Sequence, residues 1–304
     1  MAVVVTGAGG FIGRHLATAL AESGRTVVGI DRRPPLGTVP LTADLLALDD
    51  TAEDALRQAD AVFHLAGLPG VRDVSPGVEE RRVRDNVLAT ERVLELVPAS
   101  TPLVVTSSSS VYGGTAGGRP CREDDPPSPR GGYARSKLAM ERLCARRAAA
   151  GGSVTVCRLF TVAGPGQRPD MALALWIEAV LAGDPVRIFG STERSRDILD
   201  VRDAVTALRR LAERDAGGTV NVGTGVGHTL AAMVAAIGRG LGVEPAVEVT
   251  PAAEVDPAAT LADVGELHRI TGFRPRTDLD DVVGRQIKAR CEPVEHAVDE
   301  TALG

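Results

Sequence analysis

Tyr133 and Lys137 stand four residues apart, a spacing that puts both on one face of a helix. The chain holds only two tyrosines, Tyr112 and Tyr133, so each calls for a reason. A free phenol has a pKa near ~10, too high for a base at neutral pH. A neighbouring ammonium favours the phenolate and lowers that value. Tyr133 is then expected to take a proton from a substrate hydroxyl while the carbon beneath it is oxidised. Upstream lies Thr106–Gly114, TSSSSVYGG. A linker would have polar sequence on both sides, but this run sits between LVV and VYG. It is read as hydroxyls closing a buried strand, at the sheet edge where ligands bind.

Thr6-Gly7-Ala8-Gly9-Gly10-Phe11-Ile12-Gly13 follows an apolar run and opens an amphipathic one. A tight strand–helix turn would also use such glycines. The acidic Asp31 at the end of the second apolar run makes a dinucleotide site the better reading. Glycines let the backbone approach a pyrophosphate, and a helix N-terminus favours its charge. Gly7, Gly10, Phe11, Ile12 and Gly13 are the expected contacts. Asp31 would accept from the adenosine ribose hydroxyls and repel a 2′-phosphate, which favours NAD over NADP. Arg32 and Arg33 follow directly and pull the other way. Asp44-Leu45 is placed either at the adenine edge or, for the carboxylate, in a solvated loop.

In order along the chain stand the glycine-rich turn, His64-Leu65-Ala66-Gly67, Asn86-Val87, Ser108-Ser109-Ser110-Val111-Tyr112-Gly113 and Tyr133-Ala134-Arg135-Ser136-Lys137. This series resembles the extended short-chain dehydrogenase/reductase family, the NAD-dependent epimerases and dehydratases, over almost the whole chain. The resemblance implies a Rossmann-type α/β fold with a smaller C-terminal substrate-binding region. It adds Leu65, Ala66 and Gly67 to the NAD contacts, has Lys137 hold the nicotinamide ribose, and makes Ser108 the hydroxyl that bridges the substrate oxygen and Tyr133. Tyr112 is given no chemistry and Ser107 a structural role. The resemblance also implies a homodimer through helices 79–97 and 132–150.

Leu159-Phe160-Thr161-Val162-Ala163-Gly164-Pro165 and Gly166-Gln167-Arg168-Pro169-Asp170-Met171-Ala172 are similar to a signature of UDP-glucuronate 4-epimerases, as is Gly70-Val71-Arg72. That likeness implies a UDP-hexuronate as substrate. Thr161, Ser109 and Ser110 would hold its carboxylate, and Arg72 would line its site. Arg168 would sit by the carboxylate or the diphosphate, or else pair with Asp170. Tyr133 would deprotonate O4, giving a transient 4-keto sugar that is reduced again on its other face. Three departures stand out: Ala163 where the family has tyrosine, an acid within Arg196-Asp197-Ile198-Leu199-Asp200, and Ala253 where a diphosphate-binding arginine is usual. Arg196 or Arg187 would have to compensate, or the substrate would lack the full UDP group. A decarboxylase or dehydratase using the same 4-keto step is the alternative. Dehydratases carry an acidic pair where this chain has Ser109-Ser110. A non-catalytic dinucleotide-binding protein would be expected to lose Tyr133 and Lys137.

The elements that must position these groups are legible as apolar runs and 3.6-residue periodicities. Strands are expected at 2–7, 26–31, 59–67, 102–108 and 153–160, with helices at 11–24, 79–97 and 132–150 between them. That alternation implies a parallel, doubly wound sheet over 1–160. Residues 161–304 are read as mainly the substrate-binding region, with some segments returning to the sheet. It contains helices at 171–183, 200–215 and 229–241, short strands at 184–190 and 219–223, and a polar tail from Pro293. The 304 residues carry a formal net charge of -6 with the signs interspersed, unlike the basic face of a nucleic-acid binder. No apolar run approaches the ~18 residues of a membrane span. Cys121, Cys144, Cys157 and Cys291 are scattered without metal-ligand spacing, so no metal is expected and reduced cytoplasmic thiols are the default.

Overall fold

The computed structural model describes residues 2–115, 117–253 and 255–292. The polar tail from Pro293 and Glu254 lie outside the described residues. β1 (Ala2–Thr6) runs into α1 (Phe11–Glu22), followed by β2 (Thr26–Asp31), β3 (Val39–Thr42), α2 (Asp50–Arg57) and β4 (Ala61–His64). Then come α3 (Val78–Arg82), a π-helical turn (Val83–Leu88), α4 (Ala89–Leu96), β5 (Leu103–Ser108), a 3-10 turn (Ser109–Tyr112), α5 (Gly131–Ala149) and β6 (Thr155–Leu159). The remainder is β7 (Thr161–Ala163), α6 (Ala172–Ala182), β8 (Val186–Phe189), β9 (Ser195–Asp200), α7 (Val201–Glu213), β10 (Gly218–Val222), β11 (Gly227–Thr229), α8 (Leu230–Leu241), β12 (Val247–Thr250), α9 (Gly265–Thr271) and α10 (Leu279–Cys291).

Seven parallel strands form the main sheet in the order β10-β6-β5-β4-β1-β2-β3. The order reverses between β1 and β4, where Thr6 is in register with His64. Such a switch point opens a crevice beyond the strand C-termini, and the glycine-rich turn, Leu65 and Ser108 all fall there. The strands read as continuous Val/Ile/Leu runs because both faces are covered. On one face Leu16 and Leu20 of α1 meet Leu208 and Leu211 of α7 over Val3, Val5 and Val220. On the other, Leu56, Val93, Leu96 and Met140 pack on Val4, Val62 and Val105.

β10 joins the sheet after two excursions of the chain, and α7 packs beside α1. A third core gathers α6, α8 and α10 around Trp176, Ile188, Ile237 and Val283, below the small β12-β8 and β11-β9-β7 sheets. α9 and α10 lie in a stretch whose proline and aspartate content hid them. Asp278 caps α10 by accepting from the Asp281 amide, so an acid that reads as loop composition is a helix start.

The expected helix over 79–97 is interrupted by the π-helical turn at 83–88. The interruption brings Asn86, wholly buried, against two segments at once. Its amide nitrogen donates to Leu68 O (3.0 Å) and Ser136 Oγ (2.9 Å), and its oxygen accepts from Leu68 N (2.6 Å). A widened turn is a recurrent device at functional sites. Here it ties the loop after β4 to the helix that carries Tyr133.

Candidate active site

Gly7 has φ +72°, and a Cβ there would meet Ala66 N at 2.6 Å; one at Gly13 would meet Gly7 O at 2.0 Å. Only glycine allows the turn, the β4 loop and α1 to converge this closely. Gly10 caps α1 without a side-chain partner, and the first turn of α1 carries no acid. The first amides of the helix are therefore left to an external anion. Asp31 lies over the turn, its Oδ2 accepting from Gly9 N at 3.0 Å and its Oδ1 from Arg33 N at 3.0 Å. Free helix-start amides under a carboxylate that can take ribose hydroxyls fit a dinucleotide without a 2′-phosphate.

Arg32 does not oppose that preference. Its guanidinium is bound to Asp85 and lies 3.1 Å from Asp44, while Arg84 pairs with the same two acids at 2.6 and 2.7 Å. Asp44 is thus one corner of a four-residue ionic cluster. Its carboxyl stays below the ordinary value: burial opposes this, but the Leu46 amide and Arg84 outweigh it. Leu45 beside it is buried.

His64 closes the floor of the crevice. Its Nδ1 is 2.7 Å from Thr6 Oγ1 and its Nε2 2.9 Å from Thr90 Oγ1. Thr90 spends its only hydroxyl proton on Asn86 O, so His64 must donate through Nε2 and accept at Nδ1. Burial, aided by the Lys137 charge, pushes its pKa down to about 3 and keeps the ring neutral.

α5 sets Tyr133, Lys137 and Glu141 on successive turns of one face. Ser108, whose hydroxyl accepts from Ser110 N at 3.1 Å, lies near enough to Tyr133 to favour its phenolate. The structure thus brings the expected tyrosine and serine near each other. Burial nevertheless dominates and raises the Tyr133 pKa, against Ser108 and the charges of Arg168 and Arg82, where a lowering was expected. Lys137 is buried, donates to Thr106 O at 2.9 Å, and is pushed down to about 8 by burial. A nicotinamide cation is the contribution that these side chains leave to the cofactor.

Ser109 and Thr161 are partly exposed at the start of the 3-10 turn and of β7. The Ser110 hydroxyl is buried and has no hydrogen-bond partner among the described residues. Arg168 forks onto Asp170 at 2.8 and 2.6 Å, the pairing that the sequence left open, yet it remains close enough to stabilise a Tyr133 phenolate. Its loop is fastened to α1, since His15 Nε2 lies 2.9 Å from Pro165 O. Arg72 is bound to Asp256 (2.9 Å) and lies over the Phe189 ring (4.6 Å). Arg196 donates to Ser195 O (2.7 Å), and burial pushes its pKa down to about 10. Arg187 turns away to Glu248. The departing acid, Asp200, caps α7 and pairs with Arg202 and Arg285, so its role is structural.

Arg82 and Glu141 were missed. Arg82 is wholly buried and pins the 70–73 loop through Gly70 O (2.6 Å) and Asp73 O (2.7 Å). Glu141 accepts from Ser107 Oγ (2.5 Å) and pairs with Arg158, whose Nη1 donates to Tyr112 OH at 2.9 Å. The signal for Glu141 was its place four residues after Lys137.

Residues 3–223 match the model of the NAD dependent epimerase/dehydratase family. The chain is 31% identical to an uncharacterized UDP-glucose epimerase, YtcB, of Bacillus subtilis (strain 168), over 94% of this chain and 97% of that one. MoeE5, solved with UDP-glucuronic acid and NAD and also with UDP-glucose and NAD, is 41% identical and superposes with TM-scores of 0.86 and 0.85, covering 95% of this chain and 99% and 98% of those. UDP-glucuronic acid 4-epimerase from Bacillus cereus, in complex with UDP-glucuronic acid and NAD, superposes with a TM-score of 0.88 at 28% identity, over 95% of this chain and 98% of that one. With the glycine-rich turn and Asp31 at the end of β2, this chain belongs to the NAD dependent epimerase/dehydratase family, and its cofactor is NAD.

Proposed function

We propose that this protein inverts C4 of a nucleotide-linked hexuronic acid, interconverting UDP-glucuronate and UDP-galacturonate. The observation that carries the uronate is the buried Ser110 hydroxyl, which has no partner among the described residues and stands two residues from Ser108, near Tyr133. A buried hydroxyl without a partner costs free energy, and a ligand acceptor would remove that cost. A carboxylate is such an acceptor, and Ser109, Thr161 and Arg168 are the other groups that this reading assigns to it.

Bound NAD supplies the chemistry of taking hydride from C4 and giving it back. Ser108 orients O4 and passes its proton to Tyr133, and Tyr133 returns the proton when the opposite alcohol forms. Lys137 holds the ribose and keeps positive charge beneath the phenol. Oxidation at C4 leaves a ketone β to the C6 carboxylate, an arrangement prone to lose CO2 when the breaking bond aligns with the carbonyl π system. Donors from Ser109, Ser110 and Thr161 would hold the carboxylate out of that alignment. In this reading residues 161–304 are mainly the substrate region, and a homodimer forms through the helices expected at 79–97 and 132–150. No helix among the described residues is long and apolar enough to cross a membrane.

Proton NMR of the pure protein with UDP-glucuronate tests the reading. UDP-galacturonate without net NADH is the expected product. A UDP-pentose with CO2 would make the enzyme a decarboxylase. Turnover of UDP-glucose but not of the uronate would remove the carboxylate from the argument.

A further inference from the structure

Three guanidiniums converge at the far end of the cleft. Arg72 takes both oxygens of the Asp256 carboxylate, Nε to Oδ1 and Oδ2 at 3.0 Å. Arg194 donates to Asp256 O at 3.2 Å, and Arg196 to Ser195 O and Ala258 O at 2.7 and 3.4 Å. Arg72 thus uses the Asp256 carboxylate, and among the described residues its two neighbours donate to backbone carbonyls. The mutual repulsion is felt: Arg194 and Arg72 add to burial in depressing Arg196, against Asp256. Among the described residues the guanidiniums of this cluster outnumber its carboxylate.

The cluster borders a cleft of about 660 Å³, lined by Arg130, Gly131, Arg194, Ala252, Ala253, Val255, Asp256 and Ala258. Apart from Arg130, Arg194 and Asp256 the lining residues are small or apolar. The Arg194 guanidinium is packed against Gly190, where an added Cβ would meet its Nε at 2.5 Å, so its direction is held. Arg130 precedes α5 by one residue and Tyr133 by three, so one stretch of chain carries both the cleft cation and the tyrosine. The volume suits a small ligand. An excess of forked guanidiniums suits phosphate oxygens, which they bind bidentately. The NAD pyrophosphate has its own cradle at α1, formed from different elements.

We infer that Arg194, flanked by Arg130, is the specificity-determining cation for the diphosphate of a sugar nucleotide, standing in the cleft whose wall carries Ala253. The inference rests on the proposed function in that the occupant is a sugar nucleotide, and it fixes the substrate as one with the full diphosphate.

Calorimetry on the NAD-loaded full chain with UDP and with UMP tests it. UDP is expected to bind about ten- to hundredfold more tightly than UMP, since one charge-assisted contact is worth that much. Arg194→Ala should collapse that ratio and leave UMP binding and NAD content unchanged. Arg194→Ala/Ala253→Arg should restore it, and Arg130→Ala, at an exposed position, should reduce it even if Arg194→Ala does not fold. An unchanged UDP-to-UMP ratio in both Arg194→Ala and Arg130→Ala overturns the inference. A ratio that collapses in a protein that fails to epimerise UDP-glucuronate leaves the cation site standing and sinks the uronate reading. Epimerisation with an unaffected ratio does the reverse.

Discussion

Arg158 forks onto Glu141 inside the protein, Nε to Oε1 at 3.0 Å and Nη2 to Oε2 at 2.8 Å. Both side chains are buried, and the pair joins α5 to β6 just below the reaction centre. Ser107 bonds Glu141 from β5, and Tyr112, itself donating to Asn221 Oδ1 at 2.7 Å, bonds Arg158. The first serine of the run is thus a strut, and the second is the one proposed to meet the reacting oxygen.

Removing one member of this pair strands a buried charge. Arg158→Met is expected to destabilise the protein by about 3–5 kcal/mol, read from urea unfolding. Arg158→Met/Glu141→Leu should recover much of that loss. If the single variant unfolds at the wild-type urea midpoint, the pair is not a strut.

Tyr133→Phe should abolish turnover, by about 10²-fold or more, while NAD stays bound. Wild-type-like turnover of this variant, followed by NMR, would remove Tyr133 from the chemistry.

Lys137 gives the rate an alkaline limit. Its pKa is pushed down to about 8, and the protonated form is the one that supports a phenolate. Turnover should be level below that pH and fall above it, far earlier than for an ordinary lysine. The sign for stability is opposite: between about 8 and the ordinary lysine value the unfolded chain holds the proton more tightly, so stability rises with pH there. A kcat profile level to pH 10 would contradict the buried position.

His64 works at the acid end. The unfolded ring binds a proton near ~6.5, and the folded one only near about 3. Stability is full above the unfolded value and is lost as pH falls through this window. His64→Gln should narrow the difference in urea midpoint between pH 7 and pH 5. An unchanged difference would mean that other groups set the acid limb.

Asn86 holds the loop after β4 to α5 through Leu68 and Ser136. Asn86→Ala is expected to cost about 1–3 kcal/mol and to weaken NAD binding by about tenfold, measured by cofactor retention on dilution. Retention equal to wild type would confine Asn86 to folding.

The residues proposed to do local chemistry are legible in the sequence. Tyr133 and Lys137 share a helix face by spacing alone, and the glycine-rich turn, Asp31 and Ser108 sit at strand ends that apolar runs announce. Their positions follow from backbone periodicity, which short stretches of chain specify by themselves. What only the tertiary structure decided are the contacts across long separations: Arg72 with Asp256, Arg32 with Asp44 and Asp85, Glu141 with Arg158, and Arg194 beside Ala253. A charged side chain carries no mark of its partner in the sequence. Sheet register and the packing of the small sheets bring those partners within reach, and burial then sets which charges are expensive, so that the direction of the Tyr133 and Lys137 shifts came from the fold.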